Sequence, residues 1–238
     1  MDELTLQPQQ IELTIQRLAD RIQDRFPGSG LGQVCSKLLL VAKQAEAKSN
    51  WLGRPLLGFR IVAAAIIGLI LIATCAQLFF LDWKGHGIAW PDFFQGMDAL
   101  ANQAILVGAA IFFLVTMETR YKRREGLKAL HVLRSVAHII DMHQLTKDPE
   151  RAQPSLFQAT KSSPQVKLDG FHLRRYLDYC AEMLSLTGKI AAEYVNSFDD
   201  SVLVTAVNEV ETLTADLSRK IWQKIMILHS FESDAMKR

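Results

Sequence analysis

The stretches IVAAAIIGLILIATCAQLFFL (Ile61–Leu81) and ALANQAILVGAAIFFLVTM (Ala99–Met117) decide the fold of this chain. Neither stretch contains an Asp, Glu, Lys or Arg residue. An α-helix rises about 1.5 Å per residue, and about 20 apolar residues are needed to cross the hydrocarbon core of a bilayer. Each stretch is therefore long enough for one span. Together they predict an all-α integral membrane protein with a two-helix transmembrane hairpin.

The rest of the chain has the composition of a protein in water. Of the 238 residues, 22% are charged, and the formal net charge is +2. Such a charged fraction is ordinary for soluble proteins, so we expect most residues outside the two spans to lie in water. The near-neutral charge gives no case for nucleic-acid binding, which depends on a concentrated basic surface. We therefore expect no nucleic-acid partner.

Basic residues predict the orientation of the hairpin. Those that precede the first span or follow the second are Lys43, Lys48, Arg54, Arg60, Arg120, Lys122, Arg123, Arg124 and Lys128. The connecting residues 82–98 carry only Lys84. Because Lys and Arg are enriched in cytoplasmic loops, both termini are predicted to be cytoplasmic and residues 82–98 to form the outer loop, in a plasma or inner membrane. The cluster of Arg120, Lys122, Arg123 and Arg124 is also a candidate for binding anionic lipid head groups.

Periodicity divides the chain into three predicted domains. Residues 1–58 contain two amphipathic helices, over 8–26 and 31–49, separated by the helix breakers Pro27 and Gly28. Residues 59–118 form the hairpin. Residues 119–238 form a helical domain with a Pro-containing loop at 144–168 and helices over 170–195 and 199–229. We expect the N-terminal and C-terminal helices to form one cytoplasmic bundle.

The second span shows no signal that would end its helix. Residues Ala99 to His143 read as one continuous helix, in which Gly126 is the only weak point at about 1 kcal/mol relative to Ala. Such a rod has two interpretations: it transmits a signal between bundle and membrane, or it is a passive stalk.

A polar stripe on this rod is the densest group of chemically active side chains. His131, Arg134, Ser135, His138 and Asp141 recur at steps of three and four residues and share one face, and His143 follows them. Three interpretations remain open: a solvated stripe in which His138 pairs with Asp141, a site for an anionic ligand or a protein partner, and a metal site. Histidines seven residues apart lie about 10.5 Å apart along the axis, too far to share one ion, so a metal is not predicted.

Polar residues also occur near the outer ends of the spans. They are Gln77, Asp98, Asn102 and Gln103. Either they close the hairpin through hydrogen bonds, or they line the polar mouth of an oligomeric pore. The middle of both spans carries no charge, which excludes a buried charge relay or a voltage sensor.

Catalysis is not predicted. The sequence contains no GxSxG, HExxH, phosphate-loop or dinucleotide-binding motif, and nothing in it indicates a cofactor. Asp178 and Glu182 are four residues apart, but Arg174, Arg175 and Lys189 lie within reach as surface partners. Cys35, Cys75 and Cys180 are isolated and are expected to be small buried residues.

These observations favour a non-enzymatic, self-associating membrane protein. The leading hypothesis is an oligomeric channel, pore or membrane effector that its cytoplasmic domain controls, because two spans alone cannot enclose an aqueous path. The alternative is a membrane anchor or scaffold that recruits cytoplasmic protein partners, and a membrane-tethered metal-dependent enzyme is the third hypothesis.

Overall fold

The computed structural model describes residues 7–80, 90–152, 160–162 and 168–236. Helices account for 89% of the described residues, and none of these residues lies in a β-strand. The helices are α1 (Pro8–Arg25), α2 (Gly30–Gly53), α3 (Leu57–Phe80), α4 (Trp90–Leu145), α5 (Gly170–Asn196) and α6 (Ser201–Met236). The all-helical class predicted from the sequence is confirmed.

The chain divides into two compact units. One unit combines Met1–Gly53 with Glu125–Arg238, and the other contains Arg54–Arg124. The second division falls within α4, after Arg124. The domain boundaries that the sequence predicts, at 58/59 and 118/119, remain predictions.

The first unit is a helical bundle with a closed apolar core. On α1, the residues Ile11, Ile15, Leu18 and Ile22 are all buried, at the spacing of one helical face. Helix α4 contributes Leu130, Leu133, Val136, Ala137 and Ile140, and the remaining buried positions come from α2, α5 and α6. Complete burial of a Leu or Ile side chain stabilises a fold by about 1.5–3 kcal/mol. This shared core holds the helices together across a large separation in sequence.

Local capping sets where α5 and α6 begin. The carboxylate of Asp169 accepts the backbone N–H of His172 at 2.7 Å, and this hydrogen bond lowers the pKa of Asp169. Asp200 caps α6 in the same way, accepting the N–H of Leu203 at 3.1 Å. Such caps satisfy helix N–H groups that otherwise have no partner.

Gly126 allows α4 to lie close to α6. A Cβ atom on Gly126 would come within 2.7 Å of Cδ1 of the fully buried Leu203. Helix α4 continues through this position without a break. The sequence marked Gly126 as a weak point of the rod, whereas the structure gives it a packing role.

The second unit contains α3 and the first part of α4. Half-buried residues recur at helical spacing on each: Ala63, Ile67 and Ile70 on α3, and Gln103, Val107, Ala110 and Leu114 on α4. Most of the other apolar side chains in these two segments are exposed. Within Gly30–Ala73 and within Ala101–Leu145 the chain has an apolar window long enough to cross a membrane, and no part of either window is buried.

The start of α3 is tied to α4 through Glu118. Its carboxylate accepts the N–H of Leu56 at 3.1 Å and forms ion pairs with Arg60 at 2.9 Å and Lys122 at 3.0 Å. Lys122 also donates to the carbonyl oxygen of Arg54 at 2.7 Å. These contacts fix the turn that precedes α3.

Helix bounds differ from the predicted ones in several places, three of which affect predicted loops or turns. Helix α4 begins at Trp90, so residues 90–98 of the predicted outer loop are helical. Helix α2 continues to Gly53, and the turn before α3 is correspondingly shorter. A short 3-10 helix, Pro149–Ala152, lies within the predicted loop 144–168. In the first two cases no strong breaker stands at the predicted boundary.

Candidate functional site

The polar stripe of α4 faces a groove that α6 completes. The groove has a volume of about 640 Å³, and α4 contributes Arg134 and His138 to it. The α6 residues that line it are Thr205, Asn208, Glu209, Thr212, Leu213 and Asp216. We call this feature the α4–α6 groove. It brings together two of the stripe residues that the sequence singled out.

An ion pair occupies part of the α4–α6 groove. The Arg134 guanidinium lies 2.5 Å from the Glu209 carboxylate, and 42% and 57% of the two side chains are exposed. His138 is exposed on the same face, and Asp216 adds a second carboxylate. Because its cation is already paired and its α6 wall carries acidic residues, the groove suits a partner that offers both donors and acceptors better than a simple anion.

The other stripe residues lie outside this groove. His131 and Ser135 are exposed, and the Ser135 hydroxyl donates to the carbonyl of His131 at 3.0 Å. Asp141 accepts a hydrogen bond of 2.6 Å from the side-chain amide of Gln144. The expected pair of His138 with Asp141 is therefore not formed, since Asp141 has a nearer partner on its own helix.

His143 packs against other helices instead of joining the stripe. Its Nδ1 lies 3.4 Å from the hydroxyl of Tyr176 on α5, and a Cβ atom on Gly30 would come within 2.8 Å of its Cε1. Burial and the neighbouring positive charge of Lys147 lower the pKa of His143. This histidine is a packing residue at the edge of the core.

Metal binding finds no support in the described part of the chain. Within residues 7–80, 90–152, 160–162 and 168–236, no three His, Cys, Asp or Glu side chains converge on a point where they could hold an ion. The stripe histidines project along one helix, and no second acidic or imidazole group closes a coordination sphere around them.

A second groove, between α5 and α6, was not foreseen. Its volume is about 890 Å³. Small residues that line it include Ala181, Ser185, Gly188, Ala215 and Ser218, with Trp222 exposed among its lining residues. A Cβ on Gly188 would lie 3.0 Å from Oγ1 of Thr214, so the missing side chain permits the close approach of the two helices. The spacing of small residues on α5 is the signal from which this groove could have been found.

The two acidic residues of α5 that line this groove, Asp178 and Glu182, are separately paired. Asp178 lies 3.3 Å from Arg175 on the same helix, while Glu182 binds Arg21 of α1 at 2.5 Å. The pKa of Asp178 is nevertheless raised, because burial outweighs its neighbouring cations. The geometry is that of structural ion pairs and offers no shared proton between the two carboxyl groups.

The polar residues near the outer span ends occupy different environments. Asp98 and Asn102 are exposed on α4, one helical turn apart, while Gln103 is half-buried. The side chain of Gln77 lies outside the described part of the structure. Asn102 thus exposes an amide within an apolar helix.

The basic segment that follows the second apolar stretch is only partly exposed. Lys122 is 5% exposed and makes the contacts to Glu118 and Arg54 described above. Arg120 lies over the ring of Phe113, with 5.8 Å between its guanidinium carbon and the ring centre, and Arg123 is half-buried. Arg124 is exposed. The sequence pattern alone did not show that Lys122 is buried whereas Arg120 and Arg124 are exposed.

Both described cysteines are buried, as expected. Cys35 and Cys180 are free thiols with no exposed surface, and burial raises the pKa of each to about 12. Neither is placed for nucleophilic chemistry. The side chain of Cys75 lies outside the described part of the structure.

Comparison of this chain with protein-family models, with curated proteins and with solved structures finds no match.

Proposed function

We propose that this protein is a two-span membrane anchor that self-associates through its spans and presents its helical bundle to a partner protein in the cytoplasm. The observation that carries this proposal is the exposure of the apolar segments of α3 and α4. Large side chains that are more than half exposed there include Ile61, Val62, Leu69, Ile72, Ile105, Leu106, Phe112 and Val115. A patch of this kind is rare on a protein surface in water and is expected to be covered by lipid or by another copy.

The proposed topology places both termini and the bundle in the cytoplasm. Residues Ile61–Leu81 and Ala99–Met117 form the two spans, and Arg124 and Arg120 face anionic head groups. The supporting feature is the low number of basic residues between the spans.

Thiol labelling in sealed vesicles tests this topology. In a variant with its native cysteines replaced by Ala, a membrane-impermeant maleimide applied from outside should label His86→Cys. The matched control Asp199→Cys, at an exposed position before α6, should react only after the vesicles are opened. Labelling of the control from outside, or of both sites equally, would refute the proposed orientation.

Self-association is supported by open small-residue faces on both spans. A Cβ on Gly68 or on Gly108 would meet no atom within 4 Å, so neither glycine is used in packing against the described part of its own chain. Small residues let helix backbones approach closely in lipid, and a polar side chain such as the exposed Asn102 gains a hydrogen bond there of about 0.6–2 kcal/mol.

The oligomeric state in nanodiscs tests this step. Gly108→Leu and Asn102→Leu should each shift the protein toward the monomer, whereas Gly108→Ala keeps a small residue and should retain the oligomer. If the unaltered protein is monomeric at all accessible concentrations, self-association is wrong. The anchor function would then remain testable by the labelling experiment alone.

An oligomeric channel is the second candidate, and the exposed pair Asp98 and Asn102 favours it. If several copies turn this face of α4 inward, the pair forms a polar mouth above an aliphatic constriction that gates by dewetting. Purified protein in liposomes should then conduct cations, and Asp98→Asn should reduce the flux. Absence of flux from a verified oligomer would leave the anchor as the function.

A further inference from the structure

Three helices of the bundle carry carboxyl groups whose charges act on one another. These groups belong to Glu12 on α1, Glu46 on α2 and Glu193 on α5. Glu193 is 2% exposed, and its Oε2 atom has no hydrogen-bond partner among the residues that the structure describes. We call these three residues the carboxyl cluster. An ionised carboxylate is costly in a buried position where one of its oxygens has no partner.

The two charges that raise the pKa of Glu193 have the same sign as its own carboxylate. Among the described residues, the charged groups that act on it are Glu46 from α2 and Glu12 from α1. Lys43, on α2, acts on Glu12. Next to Glu193 on its own helix, Tyr194 is buried with its pKa raised above the usual range, partly by Glu193. Like charges and burial both favour the neutral acid.

The backbone around the carboxyl cluster is fixed. The Ser49 hydroxyl of α2 donates to the carbonyl oxygen of Glu193 at 2.6 Å, so α2 and α5 are joined at this point. At a separate position, Arg21 of α1 binds Glu182 of α5. The N-terminal pair α1–α2 is therefore attached to α5 both through this ion pair and through the carboxyl cluster.

We propose that the carboxyl cluster is an acid-tightened latch, in which protonation of Glu193 holds the pair α1–α2 against α5 and its ionisation loosens that contact. The neutral acid buries no charge and has an O–H that can donate to a neighbouring carboxylate. The ionised form places a charge among two others of the same sign. Opening of the contact returns that charge to water.

The direction of the pH effect follows from the pKa of Glu193. Burial, Glu46 and Glu12 raise this pKa from its ordinary value of 4.5 to about 7. The closed contact is therefore most stable below pH 4.5, and it loses stability as the pH rises to about 7. Linkage then predicts that opening increases by close to tenfold per pH unit near pH 6, and by roughly 300-fold over the whole range. The pKa of Glu12 is raised as well, mainly by burial, which acts in the same direction.

Pulsed alkylation of Cys35 in the full-length protein measures this opening. Cys35 is fully buried on α2, with its Sγ 3.9 Å from the carbonyl oxygen of Ile15 on α1. Its labelling by iodoacetamide, located by mass spectrometry, is compared between the natural protein and Glu193→Gln at each pH from 4.5 to 8.5. Because both proteins carry the same thiol, the ratio of their rates cancels the ionisation of Cys35.

The proposal predicts that the labelling rate of the natural protein, divided by that of Glu193→Gln, rises by about two orders of magnitude between pH 4.5 and 7 and is then constant. A ratio that stays constant across this range would overturn the latch. The control Glu211→Gln, at an exposed position on α6, should give the same rates as the natural protein at every pH. If Glu193→Gln does not fold, Glu46→Gln provides the test, since removal of one repelling charge should move the transition to lower pH.

A spectroscopic measurement separates the latch from a purely structural role of Glu193. The infrared band of a protonated carboxylic acid should be present at pH 6 and lost at pH 8.5 in the natural protein. The part of that band that disappears in Glu193→Gln belongs to Glu193. If Glu193→Gln removes no part of the carboxylic acid band at pH 6, the proposal is also wrong.

Discussion

Replacement of Gly126 by Ala tests how closely α4 approaches α6. The new Cβ would lie 2.7 Å from Cδ1, 3.2 Å from Cδ2 and 3.6 Å from Cγ of Leu203. Leu203 has no exposed surface, so its side chain has little room to move. Overpacking of this kind costs about 1–3 kcal/mol, while Ala in a helix contributes about 1 kcal/mol relative to Gly. We expect Gly126→Ala to lower the free energy of unfolding by about 1 kcal/mol.

The effect should reverse when Leu203 is shortened. Leu203→Ala alone is expected to cost about 2–5 kcal/mol, because it leaves a cavity in the core. In that background the methyl group that Gly126→Ala adds has space, and the substitution should stabilise the bundle by about 1 kcal/mol. The difference between the two backgrounds is then a coupling energy of about 2 kcal/mol.

Urea unfolding of the full chain in mild detergent, followed by circular dichroism, measures these free energies. Gly32→Ala is a matched control, since its Cβ would meet the nearest atom at 3.6 Å, and it should be neutral or stabilising. If Gly126→Ala stabilises the natural protein as much as the control does, the close contact of α4 with α6 at Leu203 is wrong.

Two further predictions concern the polar groups of the bundle. Arg134 and Glu209 are largely exposed, so a double-mutant cycle with Ala should give a coupling energy of about 0.2–1 kcal/mol that disappears in high salt. A coupling energy above about 2 kcal/mol would contradict the exposed geometry. The fold favours neutral His143, because burial and Lys147 lower its pKa below 6.5. Stability that depends on His143 is therefore complete above pH 6.5 and is lost as the pH falls below it. In Glu193→Gln, the free energy of unfolding should fall as the pH is lowered below 6.5. Addition of His143→Gln should abolish this loss of stability. An unchanged pH profile would contradict the assignment.

Helix positions were largely predictable from the sequence. The face of α1 that carries Ile15 and Leu18 is buried as the periodicity indicates, and α5 and α6 begin within two residues of their predicted starts. Apolar spacing identifies the face that must leave water, whatever that face packs against. The same reasoning identified two segments apolar enough to cross a membrane.

The candidate site was predictable only in part. Arg134 and His138 were correctly placed on one face, but the sequence did not show that Glu209 of α6 lies opposite them. His143 was expected to follow the stripe, and it instead packs beside Tyr176. Periodicity describes one helix, whereas a groove needs the register between two helices that are distant in sequence.

The sequence by itself determined the helical class, the two apolar segments and the buried faces, because these depend on local periodicity and on the cost of apolar surface in water. Only the tertiary structure decided that Gly126 is a contact point, that Lys122 is buried and that Glu193 lies among like charges. Each of these depends on which side chain a distant helix brings within a few ångströms. A pattern along one chain segment carries no information about that neighbour.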